Sequence, residues 1–478
     1  MRHNLPHAHL TENRGVSMSS SPAKKFSKDF TQGKILPAML SFAFPLFLSN
    51  LLQMLYNVVD MIVVGQVVGE AGLSGLSIGG DVQSLLCFIA MGFSGAAQVV
   101  ISQYLGAGLK EKMSRFIGTM STFLILCSVV MTLICVFFRG DILSLLNTPA
   151  ESWDHALSYS TVCSFGLLFI YGYNVVSAIM RGLGDSKRPF VFIAISAVTN
   201  LILDIIFVAG LQWGAGGAAL ATILAQGVSF ITALVYLYKN RTRLDFELHV
   251  KDFLHLDKRE LGILIKLGVP QALRSASVLI SKLFVNSHIN SYGVTISAVT
   301  GIALKVDHIG TTLGNSFTTA GNAMVGQNIG AAKYDRVTQI LRSSFLVNGI
   351  SFALMIAVVV LFPRTVFGMF TSEVSTLDVC MEYIPVSVIG FICSGLRGAM
   401  NSFTGGCGNY KFNFAVAIMD GIVARIGLSL LFGIVLDWGY YGFWMGNAIA
   451  GVTPFVLGAI FYATGWWKRP SKIVAGAK

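Results

Sequence analysis

Gln103-Tyr104-Leu105-Gly106-Ala107 returns further along the chain as Gln327-Asn328-Ile329-Gly330-Ala331. The same spacing separates Gly184-Asp185-Ser186-Lys187 from Gly408-Asn409-Tyr410-Lys411. Trp213-Gly214 with Gly217 returns as Trp438-Gly439 with Gly442, and Pro45 returns as Pro270, both at a spacing one position longer. A single short match is weak, but a near-constant offset at every marker reads as two copies of one unit.

The material between the markers is apolar. The 478 residues are 54% hydrophobic and only 12% charged, with a mean hydropathy of +0.69; a soluble domain carries about 25% charged residues. Segments 116–138, 156–180, 205–238, 343–363 and 438–467 contain no Asp, Glu, Lys or Arg, and a helical membrane span needs about 20 apolar residues. Twelve such segments run over roughly 36–60, 78–104, 116–138, 156–180, 189–210, 214–238, 260–287, 296–324, 343–363, 379–403, 412–436 and 438–466. The fold class is therefore an all-α polytopic membrane protein, with twelve transmembrane helices in two pseudo-symmetric six-helix lobes. Six spans per unit give both lobes the same orientation, about an axis along the membrane normal, which is a transporter architecture. The expected division is a disordered tail over 1–34, an N-lobe over 35–238, a linker over 239–259, a C-lobe over 260–467 and a tail over 468–478.

The net charge of +11 falls in the connections. Lys110, Lys112 and Arg115, then Arg181, Lys187 and Arg188, then Lys239, Arg241, Arg243, Lys251, Lys258 and Arg259, then Lys333 and Arg336 occupy alternate loops, joined by Lys24, Lys25, Lys28 and Lys34 and by Lys468, Arg469 and Lys472. Arg139 and Arg364 are the exceptions. This pattern predicts both termini in the cytoplasm of a multi-pass plasma-membrane protein, and it accounts for the basic charge without nucleic acid. Residues 1–34 are polar and basic, without the apolar stretch of a secretory signal. Seven cysteines, mostly in apolar segments and without a CxxC pair, form neither a metal site nor a disulfide framework.

Polar residues inside spans are the candidates for function. An ionised carboxylate at membrane depth costs about 2.5–3.5 kcal/mol on insertion scales, so Asp204, in Val198-Thr199-Asn200-Leu201-Ile202-Leu203-Asp204-Ile205-Ile206, needs a use. Asn200 and Ser196 precede it by one and two helical turns, on the same face. The first span repeats the pattern with Gln53, Asn57 and Asp60, and the sixth carries Thr222, Gln226 and Ser229. Oxygen donors of this kind suit Na⁺ or a shared proton, and two close carboxylates favour holding a proton between them. Thr222, Gln226 and Asn57 also read as ordinary interhelical hydrogen-bonding residues, at about 0.6 kcal/mol per contact. The C-terminal half differs: its intramembrane charges are mostly basic, Arg274, Lys282, Lys305, Arg397 and Arg425, with Asp307 and Asp420, and His308 adjacent. They read equally as structural ion pairs or as a basic cavity wall favouring anionic or zwitterionic cargo. No G-x-x-x-x-G-K-[ST] loop is present, so no ATP site is expected, and no catalytic constellation is visible; the chain does not read as an enzyme.

Phe44-Pro45, the run from Asn57 through Asp60 to Gly65, Gln103-x-x-Gly106-Ala107, Arg181-Gly182-x-Gly184-Asp185, and Asn200-x-x-x-Asp204 with Thr222 together closely resemble the multidrug and toxic compound extrusion (MATE) family of cation-coupled antiporters. The resemblance covers roughly residues 30–468. It implies two lobes around a V-shaped cavity and a cation site at the positions of Asp60, Asn200, Asp204 and Thr222. It also implies a bend of the first span at Pro45. It puts Gln53, Tyr159 and Asn174 at polar cavity positions; Asn57, Gln226, Arg274, Lys282 and Arg397 are further substrate-cavity candidates from the residues themselves. Family acids in spans seven and ten are replaced here by Arg274, Lys282 and Arg397, which points to coupling in the N-lobe alone, as in the DinF-like branch. The function expected is H⁺- or Na⁺-driven export of amphipathic organic compounds by alternating access from a bacterial cell, by a monomer whose partners are small organic cargo and membrane lipids, with no cofactor and no metal beyond a coupling Na⁺ at Asp60, Asn200, Asp204 and Thr222. The alternative is a flippase for a lipid-linked oligosaccharide or polysaccharide precursor, supported by the basic C-lobe.

Overall fold

A computed structural model describes residues 27–241, 244 and 256–475. The expected linker falls largely outside these residues, as do positions 1–26 and 476–478. Every regular element among the described residues is helical. Ten helices are long and apolar enough to cross a membrane: Ile35–Val68, Glu70–Ala107, Lys110–Phe137, Lys187–Gly210, Gly214–Lys239, Lys258–Asn290, Tyr334–Leu361, Val374–Cys407, Tyr410–Val435 and Gly439–Ala463. The pair Ala150–Phe165 and Leu167–Gly182, bent by 48°, makes an eleventh span. Val294–Gly330, 37 residues long and carrying Lys305, Asp307 and His308 within it, completes the twelve. Hereafter the spans are numbered first to twelfth in chain order.

Several helices outrun their apolar segments. The first span continues to Val68, past the end at 60 read from the sequence, and stops at Gly69, whose φ of +84° ends both this helix and the start of the next. Gly65 and Gln66 carry it past the apolar run, because backbone hydrogen bonding does not end where hydrocarbon does. Pro45 lies inside this helix, which runs unbroken through it. Pro45 supplies no amide hydrogen for the carbonyl one turn earlier, and the Ser49 hydroxyl donates to the Pro45 carbonyl at 2.8 Å.

The internal repeat is visible down to single side chains. The fifth span passes from α-helix to a π-helical turn at Ile205–Gly210, and the eleventh does so at Leu431–Val435. Each turn ends in the same aromatic stack: Phe207 on Trp213 at 5.2 Å and 16°, Phe432 on Trp438 at 5.3 Å and 17°.

The lobes exchange the basic-end portions of their first helices. Met39 and Phe42 of the first span are buried in the C-lobe core with Phe317, Met324 and Phe403. Leu264 and Leu267 of the seventh span are buried in the N-lobe core with Phe93, Val100 and Tyr104. The two crossings are related by the repeat: Met39 matches Leu264 and Phe42 matches Leu267, at the spacing that separates Pro45 from Pro270. At the end of the molecule carrying the basic connections, the repeated Gln-x-x-Gly segments meet. A Cβ on Gly106 would lie 2.0 Å from the Gln327 carbonyl oxygen, and one on Gly330 would lie 2.1 Å from that of Gln103. Only glycine allows the second and eighth spans to approach this closely. Gln98 Nε2 donates to the Thr319 carbonyl at 2.9 Å and Gln103 Nε2 to the Gly406 carbonyl at 2.9 Å, so this end is closed by cross-lobe hydrogen bonds.

The first and last described segments pack into that closure. Where a free tail was expected through residue 34, Phe30 is 1% exposed. Its amide donates to Gln327 Oε1 at 2.8 Å, and Arg336 Nε donates to its carbonyl at 3.1 Å. Near the other terminus Ile473 is buried in the N-lobe core, and the Ser471 hydroxyl donates to Gln103 Oε1 at 2.6 Å. One apolar side chain in each segment supplies the burial that a reading by charge alone overlooks.

Candidate functional site

The first, fifth and sixth spans of the N-lobe bring Asp60, Asn200, Asp204 and Thr222 together, all four buried. Asp204 and Thr222 are the polar neighbours of Asp60. Asn200 Nδ2 donates to Thr222 Oγ1 at 3.5 Å, and that hydroxyl donates to the Ala218 carbonyl one turn back at 3.0 Å. Asp204 is the last residue of the α-helical part of its span, and the π-helical turn begins at Ile205. Such turns break the regular backbone register and recur at functional sites.

Asp60 Oδ1, both carboxylate oxygens of Asp204 and Asn200 Oδ1 are buried without a hydrogen-bond donor. Two bare carboxylates have only acceptors to offer each other, so Asp60 and Asp204 can hydrogen-bond only with a proton between them. Among the described residues, no lysine or arginine forms an ion pair with either. Buried acceptors left unpaired cost about 1–3 kcal/mol each. A proton, or a hard cation that takes oxygen ligands, removes that cost. Among the described residues there is no group of three or more His, Cys, Asp and Glu side chains of metal-binding type; the cluster consists of two carboxylates with an amide and a hydroxyl.

A cavity of about 1020 Å³ lies between the lobes, in the half of the molecule away from the closed basic end. Its N-lobe wall is mainly apolar, with Met54, Val58, Met61 and Ile62 of the first span; its C-lobe wall carries Lys282, Lys305, Asp307, His308, Arg425 and Asn447. Of the residues expected to line it, Lys282 does so. Gln53, Asn57, Tyr159, Asn174, Gln226, Arg274 and Arg397 are not among its lining. Tyr159 is buried and packs where a Cβ on Gly79 would lie, and Asn174 donates to the Ile170 carbonyl one turn back at 2.9 Å. Gln226 is a polar neighbour of Tyr56. Arg274 and Arg397 turn to Asp420, at 3.4 and 3.9 Å.

The repeat relates the two lobes at this level as well. Asn200 corresponds to Arg425 and Thr222 to Asn447, again at the spacing of the two prolines. The pairing is kept, with Arg425 Nη1 donating to Asn447 Oδ1 at 2.8 Å. Asn447 was not singled out from the sequence, although the offset applied to Thr222 points to it. Asp420, fully buried, lies in a second π-helical turn, Met419–Ala424.

Two lobes of six spans, first helices that cross between them at the basic end, an inter-lobe cavity and buried intramembrane carboxylates define a membrane transporter. The MatE family model matches residues 45–206 and 270–431, one match in each lobe, and the chain belongs to that family. It is 27% identical over 447 residues to the probable multidrug resistance protein YoeA of Bacillus subtilis, covering 92% of this chain and 96% of that protein. It is 23% identical over 439 residues to the probable multidrug resistance protein NorM of Thermotoga maritima, covering 90% and 93%. Among solved structures, an outward-facing multidrug resistance MATE family transporter superposes with a TM-score of 0.83 at 21% identity, over 93% of this chain and 97% of that one. A MOP superfamily transporter from Pyrococcus furiosus, for which a reverse polarity of the binding pocket is taken to suggest a different function, superposes with a TM-score of 0.83 at 21% identity, over 91% and 97%.

Proposed function

We propose that this chain is a cation-coupled antiporter that exports amphipathic organic compounds by alternating access, with H⁺ or Na⁺ returning through the Asp60–Asn200–Asp204–Thr222 site. One observation carries the reading: four buried acceptor oxygens converge there without a donor, in a lobe where neither carboxylate has a basic partner among the described residues. An ion neutralises that cluster only for as long as it is bound, so its arrival and departure change the energy of packing the first span on the fifth and sixth.

The basic connections support an orientation with the closed end, and with it both termini, on the cytoplasmic side of a plasma membrane. The inter-lobe cavity then faces outward. A cargo-sized cavity beside, rather than on, the carboxylates lets ion and cargo act on each other through the shared first span, which contributes Asp60 to one site and Met61 and Ile62 to the other.

The test is gradient-driven transport of a fluorescent amphipathic dye in proteoliposomes. An imposed H⁺ or Na⁺ gradient should drive dye movement by the wild type and not by Asp204→Asn, while Asn200→Ala retains part of it. Equal gradient-driven transport by wild type and Asp204→Asn would overturn the assignment.

A further inference from the structure

Asp420 is ringed by three guanidinium groups. Arg274 Nη2 lies at 3.4 Å, Arg425 Nη2 at 3.4 Å and Arg397 Nη1 at 3.9 Å. One carboxylate cannot neutralise three arginines, so the cluster keeps a surplus of positive charge. Lys282 adds to it, with Arg425, Arg397 and Asp307 as its charged neighbours. Lys305 and Arg425 line the cavity with Lys282, against the single carboxylate of Asp307. Cations crowded away from water are costly unless an opposite charge meets them. Arg274 and Arg397 are 29% and 23% exposed, whereas Arg425 is 5% exposed with an unpartnered Nε.

The repeat shows what this cluster replaces. Where the N-lobe has Asn200 hydrogen-bonded to Thr222 beside two carboxylates that require a cation, the C-lobe has Arg425 hydrogen-bonded to Asn447. The guanidinium is a cation built into the corresponding place, and the surplus charge lies toward the cavity. The facing wall of Met54, Val58, Met61 and Ile62 is apolar.

We propose that the C-lobe wall of the cavity is an anion-binding subsite, in which Lys282, Arg425 and Lys305 receive the phosphate or carboxylate head of an amphipathic anion while its apolar body lies on the first span. This rests on the export reading and narrows its cargo to molecules with an anionic head. The head belongs either to a soluble amphipath or to a membrane lipid.

The experiment measures binding by calorimetry to the full chain in phosphatidylcholine nanodiscs. The probes are dodecyl phosphate and dodecyltrimethylammonium, which share a chain and differ in the sign of the head. Dodecyl phosphate should bind at least tenfold more tightly. Lys282→Gln should weaken it at least fivefold without weakening the cationic probe. Asp420→Asn, which removes the only carboxylate of the arginine cluster, should tighten dodecyl phosphate; a purely structural role for the cluster predicts no such gain. Replacing a third of the phosphatidylcholine by phosphatidylglycerol weakens the apparent affinity if a lipid head is the source and leaves it unchanged if the source is soluble. Tighter binding of dodecyltrimethylammonium, or no effect of Lys282→Gln on dodecyl phosphate, overturns the subsite. If the cationic probe wins while Asp204→Asn still abolishes gradient-driven transport, the subsite falls and the export reading stands. If the anionic probe wins while transport ignores every gradient, the coupling falls and the subsite stands.

Discussion

Replacing Gly330 by alanine tests how the basic end of the molecule is held shut. The new methyl would lie 2.1 Å from the Gln103 carbonyl oxygen and within 3.0 Å of its Cα, all backbone of the second span. Ordinary contact begins at 3.4 Å, so the eighth and second spans must part along that line until the shortfall is made up. No flexible side chain is available to give way. Overpacking of this kind costs about 1–3 kcal/mol, and the cost falls only on the state in which the lobes touch there. The equilibrium between the closed and open forms of that end should shift by about 5–150-fold toward opening. Gly106→Ala, at 2.0 Å from the Gln327 carbonyl oxygen, should act in the same direction. Gly349→Ala, with nothing within 4 Å, is the control. Spin labels at Lys110 and Asp335, in a background without the native cysteines, would report the separation by pulsed electron resonance in nanodiscs. A longer-distance population should grow in Gly330→Ala and Gly106→Ala and not in Gly349→Ala. An unchanged distance distribution in both close-contact variants would refute the argument that these glycines set the closure.

Phe30→Ala removes a side chain that is 1% exposed in the C-lobe core; burial of that extent is worth about 3–5 kcal/mol for phenylalanine, so the detergent-solubilised protein should melt at a lower temperature, with the same labels reporting more opening. Tyr104→Phe takes the phenol away from Glu260 Oε2, a buried hydrogen bond of 2.8 Å between the second and seventh spans; about 1–3 kcal/mol of stability should be lost, read as a lower melting temperature with transport direction unchanged. Cysteines placed at the exposed Lys110 and Asp335 should resist an impermeant thiol reagent in intact cells, while cysteines at the exposed Glu151 and Glu373 should react; the reverse pattern would invert the orientation and with it the direction of transport.

How far the chain could be read differs between its levels. The two-lobe organisation was legible because the offset between Gln103 and Gln327 recurs, to within one position, at Gly184, Trp213 and Pro45, and a repeat needs no tertiary information. The face shared by Asn200 and Asp204 follows from helical spacing alone; that Asp60 of the first span lies against it is a tertiary fact that spacing cannot supply. The exchange of first helices was not legible. Met39 and Phe42 lie in the apolar first half of the first span, before its polar stripe at Gln53, Asn57 and Asp60, and a stretch apolar on every side gives no sign of which lobe receives it. The same ambiguity misdirected the expected cavity lining. Tyr159 and Asn174 lie in the fourth span, whose bend of 48° between Phe165 and Leu167 turns its two halves apart. Arg274 and Arg397 turn to Asp420 because a buried carboxylate attracts the nearest guanidinium groups, and charge pairing across spans has no periodic signature. Phe30 was passed over because scattered aromatics among lysines read as tail.

The account stands on the claim that Asp60 and Asp204 hold the coupling ion and give it up when cargo binds. Ion and cargo affinities are linked reciprocally, so the release can be measured without a membrane gradient. Purified protein in weakly buffered solution, followed with a pH indicator and a Na⁺-sensitive dye, should release H⁺ or Na⁺ when an amphipathic cargo is added. Asp60→Asn and Asp204→Asn should bind the same cargo and release neither ion. Ion release at the wild-type level from both variants, with cargo binding intact, would contradict the claim and move the coupling site elsewhere in the chain.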